Sequence, residues 1–438
     1  MRNQLRLLRD VFALILIAAT WRLWFATSDF PAVPFFRFLT SVPQIVDSVL
    51  GGVLVVVLLV DVCLTACQIV GRRVFAESVR AEQSCDAIFV VTAAGLVLLN
   101  QHCLQPWMYH LLLITFLLLG IQSSKLTCEG EAASHAESTS RQSEEAFLRS
   151  AILWLTASIY VWSAWSKLDA GFLQTHGPKF VAAICDVVGF STRFWTDQTW
   201  KITSLMLPLG ELLVGIGLLF GRTRNTALWM SLLMHFALIL AVGPWGLNHR
   251  SGVLLWNGFF IVQNILLLRT ARKERTLAST VGSSTGDSRR RIPVLILGTA
   301  VLFPAFRFVG CCDAWPAWAV YASLPARVLV QVRETSVGQL PEGLEQYVEP
   351  RRVNDGWLWL RIDLWSLEAT ETPIYPEDRF QFGVARWVAR ESDLRDDVRI
   401  IYEEESDRWT GQRKRFEKVG DAGMAEFGKR FLLNSLPR

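Results

Sequence analysis

Lys167, Glu211, His235 and Asn257 stand in four successive apolar stretches, each in the half of its stretch nearer the same end. An ionisable group in a hydrocarbon environment costs about 2.5–3.5 kcal/mol on insertion scales, so it faces a bundle interior, pairs, or does chemistry. If Lys167 ends its helix at a membrane surface, a rise of ~1.5 Å per residue puts Glu211, His235 and Asn257 about 12, 14 and 9 Å below it. Four such groups can share one cavity. The chemistry they permit is proton handling: burial drives a lysine towards its neutral base and a glutamate towards its neutral acid unless they pair, and histidine titrates between those limits. Lys167, Glu211 and His235 are therefore the candidate catalytic set, acting as general acid and base. Asn257, with His102 and His110 beside the turn Gln105-Pro106-Trp107, is expected to position a ligand, and His249 adds an imidazole at the rim. The bland alternative is a Lys–Glu or Glu–His pair that fixes helix register, with Lys167 reaching to the interface. Asp61 and Arg22 are weaker candidates that could satisfy one another or neighbouring helices.

Cysteine offers a second chemistry. Cys63 and Cys67 lie one helical turn apart, and Cys103, Cys185 and the adjacent Cys311-Cys312 fall on the side expected to be oxidising. A thiol relay would use them. Cys-x-x-x-Cys inside a helix is poor disulfide geometry, so packing is the commoner role, with a staple from Cys311 or Cys312 to Cys103 or Cys185 as the exception. No paired Cys-x-x-Cys motif, phosphate-binding glycine loop or haem-attachment signature occurs, so neither a metal site nor a soluble-cofactor enzyme is expected.

The elements that must position these residues are long apolar runs. Of 438 residues 51% are hydrophobic, and the mean hydropathy is +0.30. The runs predict about nine spans, near 9–26, 48–70, 86–102, 107–122, 147–167, 203–221, 225–244, 251–269 and 292–309. Arginine and lysine alternate with them. Arg2, Arg6, Arg9, then Arg72, Arg73, Arg80, then Lys125, Arg141, Arg149, then Arg222, Arg224, and the run Arg269 to Arg291 occupy one set of loops; the other set is poor in them. By the positive-inside rule the N-terminus is cytoplasmic and an odd number of spans carries 310–438 outside. Trp21-Arg22-Leu23-Trp24, where a cleavage site would need small residues, makes the first span a retained anchor. A net charge of +4, explained by topology, implies no nucleic-acid partner.

The domain reading is a transmembrane block 1–122, a cytoplasmic linker 123–146, a second block 147–269, a linker 270–291, a last helix 292–309, and an extracytoplasmic α+β domain 310–438. Between spans five and six, 171–200 reads as an amphipathic helix capping the bundle in the interface. In the last domain, 326–333 alternates as a strand, Trp357 to Trp365 alternates likewise with a tryptophan ladder or a binding face, and Pro376 to Ser392 keeps helical spacing.

Tyr160-Val161-Trp162-Ser163-Ala164-Trp165-Ser166-Lys167-Leu168 with Phe172, and Pro208-Leu209-Gly210-Glu211-Leu212-Leu213 before Gly215, resemble the DoxX/MauE four-helix membrane module over about 147–269. Over about 1–310 the chain also resembles the HTTM group, bacterial relatives of vitamin K-dependent gamma-carboxylase, through Asn100-Gln101, Leu104-Gln105-Pro106-Trp107, a Lys-bearing helix end and a His-bearing helix. The first resemblance implies quinone-linked or disulfide-linked redox work. The second implies quinol-dependent base chemistry, with Lys167 matching a basic lysine. The chain has no clear matched thiol pair for the first, and its outer domain of about 120 residues is short for the large peptide-binding portion of the second.

The expectation is thus an all-α polytopic inner-membrane helix bundle of about nine spans with a small extracytoplasmic α+β domain. Its outward-facing intramembrane polar site would do quinone-linked or thiol-linked redox or carboxylase-like base chemistry, with quinone as the candidate cofactor. The lipid bilayer, and a quinone or an extracytoplasmic protein, are the expected partners. The alternative is a non-catalytic scaffold or binding protein acting through its C-terminal domain. A transporter comes third, since no inverted repeat of broken helices is evident.

Overall fold

The computed structural model describes the chain except residues 26, 71–77, 127–133, 278–290, 354, 355 and 395. It is mostly helical, with one small antiparallel sheet near the C-terminus. The helices are α1 (Arg2–Ala19), α2 (Trp21–Trp24), α3 (Ile45–Ile69), α4 (Ser78–Leu99), α5 (Pro106–Leu126), α6 (Ser134–Lys167), α7 (Ala170–Gln174), α8 (His176–Val187), α9 (Asp197–Leu219), α10 (Arg224–Val242), α11 (Ser251–Leu277) and α12 (Arg291–Leu302). Among the described residues seven helical segments are long and apolar enough to cross a membrane: Ile45–Ile69, Arg80–Leu99, Gln142–Lys167, Asp197–Leu219, Arg224–Val242, Ser251–Thr270 and Arg291–Val309. Pro106–Ile121 is apolar but shorter. Seven of the nine expected spans coincide with these segments; the fourth is the shorter Pro106–Ile121, and the first is broken at Thr20 into α1 and α2, neither of which is long and apolar enough.

Two blocks are evident. In the first α1, α3, α4 and α5 pack together; in the second α6, α9, α10 and α11 do, with α8 laid across α9 and α10. The blocks join where α1 meets α11 and where α12 lies against both α5 and α6. The linkers are shorter than the composition suggests. Helix α5 runs on to Leu126, α6 begins at Ser134 and α11 continues to Leu277, so much of 123–146 and the start of 270–291 is helical. Arg72 and Arg73, and residues 278–290 of the second linker, lie outside the described residues.

The arginines expected in a cytoplasmic segment are not all at a surface. Arg6 and Arg9 are fully buried, and the Arg6 guanidinium meets Asp61 at 2.9 Å, Glu82 at 2.8 Å and Asp86 at 2.8 Å. Arg9 meets Asp10, Asp61 and Asp86 at 2.6, 2.7 and 2.6 Å and donates to Thr115 at 3.1 Å. Arg2 reaches Glu82 at 2.6 Å. This cluster ties α1 to α3, α4 and α5. It also settles the partner of Asp61, which is not Arg22; that residue donates to the Glu368 carbonyl of the C-terminal domain at 3.3 Å.

The C-terminal domain is α+β, as its pattern indicates. Strands β1 (Arg327–Arg333), β2 (Val348–Val353), β3 (Trp357–Leu360), β4 (Val398–Glu403) and β5 (Arg415–Val419) form a sheet of order β2-β3-β1-β4-β5. Helices α13 (Ile362–Thr370), α14 (Asp378–Glu391) and α15 (Gly420–Gly428) accompany it. Phe380, Val384 and Val388 of α14 are fully buried against Val328, Val330 and Val332 of β1, as the three-to-four spacing requires. The run from Trp357 to Trp365 is not one strand. It stops at Leu360, and Asp363 sits in the first turn of α13, where a carboxylate favours helix initiation. Trp365 then packs on Trp387 of α14 at 5.4 Å between ring centroids, while Arg333 and Arg399 lie 4.7 and 4.6 Å from the ring of buried Trp357.

The domain is stitched to the bundle. Phe30 and Val33, from the segment after α2, enter its core. Gln101 donates to the carbonyls of Pro34 and Asn434 at 3.0 Å each and accepts from Arg379 at 2.9 Å, and Arg438 pairs with Asp47. His102 lies in this seam.

Candidate functional site

One cavity of about 300 Å³ gathers Lys167, Glu211, His235 and Asn257 into a single wall system. Most of its lining is apolar, from α6, α8, α9, α10 and α11, and it is covered by Trp318, Val320 and Tyr321 of the segment that leads into the C-terminal domain. Such a volume with a few convergent polar groups falls in the ligand-pocket range of about 300–1,000 Å³.

The polar groups sit on helical stripes. On α6, Thr156, Tyr160, Ser163 and Lys167 are spaced by four, three and four; on α11, Asn257 and Asn264 share a face with Phe260 between them; on α10, Ser231 and His235 are one turn apart. Residues so spaced line one side of a helix. The stripes of three helices meet inside the second block.

Lys167 Nζ donates to Glu211 Oε2 and to Ser163 Oγ, both at 2.7 Å. Their side chains are 15% and 14% exposed, so the pair is shielded but within reach of the cavity. An ammonium has three hydrogens. Two are committed here, leaving one for a ligand, and Glu211 engages the lysine through one carboxylate oxygen.

His235 is held at both nitrogens. Its Nδ1 lies 2.7 Å from Asn257 Oδ1 and its Nε2 lies 2.7 Å from the Tyr160 hydroxyl. Asn257 donates through Nδ2 to the Val253 carbonyl at 2.8 Å, so its Oδ1 must accept and His235 Nδ1 carries the proton. Nε2 is then an acceptor, and Tyr160 donates to it. Asn264 Nδ2 donates to both the Tyr160 and Ser231 oxygens, at 3.1 and 2.6 Å, and the two hydroxyls are 2.8 Å apart. A directed chain results, from Ser231 through Tyr160 and His235 to Asn257. The imidazole also stacks on Phe260, centroids 4.8 Å apart and planes 4° off parallel. To handle a ligand proton directly, His235 would have to give up one of these bonds.

The cover is strained. Trp318 and Tyr321 both have φ of 60°, in the left-handed region that costs a bulky residue about 1–3 kcal/mol. Ring contacts hold them there: Trp318 lies 5.2 Å from Tyr109 and 6.4 Å from Trp256, and Tyr321 lies 5.0 Å from Phe180. His249 Nδ1 pairs with the Tyr321 hydroxyl at 2.8 Å, which puts this imidazole at the cavity cover as its loop position suggests. Burial lowers the pKa of His249 and raises that of the Tyr321 phenol. From the segment read as a capping helix, α7 supplies Phe172 and α8 supplies Phe180 and Ile184 to the lining.

Two expected positioning residues lie elsewhere. His102 is fully buried between the bundle and the C-terminal domain, its Nε2 2.8 Å from the Pro373 carbonyl and 3.0 Å from Thr372 Oγ1. Burial pushes its pKa down to about 4, the Pro373 carbonyl opposing the shift. His110 is walled off by Trp256, Phe259, Phe260 and Trp318, and accepts from Trp256 Nε1 at 3.4 Å. It backs the cavity wall instead of facing the cavity. Among the described residues no stapling disulfide forms: Cys63, Cys67, Cys85, Cys103, Cys185, Cys311 and Cys312 are all free. The Cys103 thiol lies 3.9 Å from the Leu23 carbonyl and the Cys312 thiol 3.5 Å from that of Asp313, each with its own local partner. Among the described residues no group of three or more His, Cys, Asp or Glu could hold a metal ion.

Tyr160, Ser163, Ser231 and Asn264 complete the site and were not singled out from the sequence as site residues. Their signal was the recurrence of polar groups at helical spacing on otherwise apolar helices, four-three-four on α6, four on α10 and seven on α11. Glycine shaped the approach: Gly215 of α9 lies so close to α6 that a Cβ there would stand 2.9 Å from Val161 Cγ2 and 3.1 Å from Tyr160 Cβ. One turn before it, Glu211 therefore reaches Lys167. No protein-family model, no curated protein and no solved structure matches this chain.

Proposed function

We propose that the chain is a multi-pass inner-membrane protein with a cytoplasmic N-terminus and an extracytoplasmic C-terminal domain, and that its cavity binds a lipid-soluble quinone or quinol and moves a proton on the ligand head. The observation that carries this reading is the placement of the Lys167–Glu211 pair and the Asn257 amide on the walls of one apolar cavity. Ionisable groups that face the interior of a membrane bundle pair with one another or mark substrate pathways and proton relays, and the opening of this pair onto a cavity favours the second role.

The residues present fit such a head group. Asn257 Nδ2 spends one hydrogen on Val253 and has a second for a ring oxygen. The remaining Lys167 hydrogen faces an oxygen that gains negative charge, and the second oxygen of Glu211 takes the proton that a ligand hydroxyl gives up. Glu211 is thus the base and Lys167 the electrostatic partner. The Ser231–Tyr160–His235–Asn257 chain fixes the orientation of the Asn257 amide. Bound in the cavity, a quinol supplies the ionisable hydroxyls and the two-electron couple that this chain's side chains lack.

Entry from the bilayer is consistent with the lining. Met206 of α9 and Met230 and Leu233 of α10 line the cavity and are also exposed on the outside of the bundle. A molecule with an apolar tail could pass between those helices. The resemblance to DoxX/MauE proteins through the Lys167 and Glu211 segments, and to the HTTM group through a Lys-bearing helix end and a His-bearing helix, agrees with this reading, and membership of either group is part of the proposal.

The test is titration of the purified protein in nanodiscs with a short-chain ubiquinone, alongside quinone extraction from preparations in native lipid. Wild type is expected to retain quinone, and Lys167→Met to lose it with its helical circular dichroism intact. Absence of bound quinone together with indifference to Lys167→Met would leave the scaffold reading, in which function is lost only on deleting 310–438.

A further inference from the structure

A second cavity, of about 250 Å³, lies where the bundle meets the C-terminal domain. One side is aromatic: Trp162 and Trp165 near the end of α6 lie 6.0 and 6.2 Å from the ring of Phe308 beyond α12. Trp165 and Phe308 are exposed, at the level where apolar helices give way to a polar domain. The other side is charged. Arg408 Nη1 donates to the carbonyls of Trp165 and Leu168 at 2.9 and 3.1 Å, and its guanidinium lies 4.9 Å from the Trp165 ring. Its other two nitrogens make no hydrogen bond among the described residues. Arg307 meets Glu405 at 2.8 Å and Glu377 at 3.3 Å. Glu377 is a domain-side anchor, accepting from the Ala314 amide at 2.6 Å. The charged groups lining the cavity are Arg307, Arg408 and Glu405; Arg307 is paired with Glu405 and, behind the lining, with Glu377, whereas Arg408 meets no carboxylate within 4 Å among the described residues.

An aromatic side in register with apolar helices and a cationic side in register with a polar domain match an amphiphile with an anionic head. We propose that this crevice binds an anionic phospholipid, its phosphate on Arg408 and Arg307 and its acyl chains along Trp162, Trp165 and Phe308. Guanidinium groups suit this task because their planar forks bond phosphate oxygens in pairs. The inference rests on the chain being membrane-embedded and is independent of which ligand occupies the larger cavity.

The crevice shares a wall with that cavity. Along one short segment Ala317, Ala319 and Ala322 line the crevice, while Trp318, Val320 and Tyr321 line the cavity. The left-handed backbone at Trp318 and Tyr321 belongs to this partition.

The experiment is native mass spectrometry of the full chain released from mixed phosphatidylcholine–phosphatidylglycerol nanodiscs. One phosphatidylglycerol is expected to stay bound in preference to phosphatidylcholine, and Arg408→Gln to weaken its retention about tenfold, as loss of a charge-assisted bond does. Ala322→Phe, which fills the crevice and leaves both arginines in place, is expected to expel the lipid; it decides the matter if Arg408→Gln loses its helical signal. Equal retention of the two lipids, or retention unchanged by Ala322→Phe, overturns the proposal. So does thermal protection in lipid-free detergent by inorganic phosphate equal to that given by phosphatidylglycerol, which would make the site one for free phosphate. Alkaline carbonate extraction of membranes tests the embedding separately, release of the protein counting against both this inference and the membrane reading.

Discussion

Gly215 and Tyr160 touch across the α6–α9 contact: a methyl group on the glycine would fall 3.1 Å from the tyrosine Cβ and 3.2 Å from the Ala157 carbonyl. Backbone here lies against side chain, and the spacing of the two helices follows from a residue with no side chain of its own. Lys167 and Glu211, both about a turn or two away towards the same helix ends, can then meet at 2.7 Å. Gly215→Leu should push the helices apart, overpacking the contact at a cost of about 1–3 kcal/mol. Denaturant titration in mixed micelles measures that cost. The more telling readout is ligand affinity, which should fall although Gly215 does not line the cavity.

The Lys167–Glu211 pair should behave as a coupled unit. Removing one partner strands a shielded charge, so Lys167→Met and Glu211→Gln should each destabilise by more than the double variant Lys167→Met/Glu211→Gln does. A double-mutant cycle on unfolding free energy gives the coupling directly. Additive single effects would mean that the two groups are solvated separately in solution.

The tautomer of His235 follows from the way Asn257 is anchored. With Asn257 Nδ2 donating to Val253 at 2.8 Å, the imidazole should be neutral with its proton on Nδ1. Nitrogen-15 resonances of a histidine-labelled sample distinguish the two tautomers. Tyr160→Phe removes the donor to Nε2 and the acceptor for Asn264, and should cost about 1–3 kcal/mol because buried polar atoms lose their partners. A dominant Nε2–H signal in wild type would reverse the direction of the whole chain from Ser231 to Asn257.

How far the sequence carried can be judged from single residues. Lys167, Glu211, His235 and Asn257 were legible because a polar side chain on a long apolar run is conspicuous, and helical rise gave their common depth. Tyr160 and Asn264 were not, since helical spacing shows which side of a helix is polar but not which residues of another helix face it. His102 and His110 were assigned to a rim because they flank a turn; the turn is instead covered by the C-terminal domain, through Phe30, Gln101 and Arg379. The strand reading of Trp357 to Trp365 failed at Arg361 because alternation over a few residues does not distinguish a strand from a strand that turns into a helix.

His102 gives the domain seam a pH dependence. Its pKa is lowered by burial from 6.5 to about 4 in the folded chain. Above pH ~6.5 neither state binds a proton there and its contribution is complete. As pH falls towards 4 the unfolded chain takes up a proton that the folded chain refuses, so stability declines by about 1.4 kcal/mol per unit, roughly 3 kcal/mol in all. Comparing wild type with His102→Gln between pH 7 and pH 5 isolates the effect from carboxylates that titrate lower. The difference in unfolding free energy between the two proteins should shrink as the buffer is acidified, and a constant difference would mean that the seam admits water to the imidazole.

Arg9 and Arg80 separate charge as a topological signal from charge as a structural member. Both belong to the basic segments that the loop pattern assigns to one side of the membrane, yet Arg80 is exposed and Arg9 is buried among Asp10, Asp61 and Asp86. A topological role alone would make the two interchangeable. The packing says otherwise: Arg9→Met leaves several buried carboxylates short of a cation and should cost about 3–5 kcal/mol, as breaking buried ion pairs does. Arg9→Lys should recover little, because a single ammonium cannot reproduce a fork that meets three carboxylates and the Thr115 hydroxyl together. Arg80→Gln should stay within about 0.5 kcal/mol, the range of surface substitutions. Unfolding in mixed micelles by added dodecyl sulfate ranks the three variants, and equal costs for Arg9→Met and Arg80→Gln would mean that the α1 cluster does not hold the first block together.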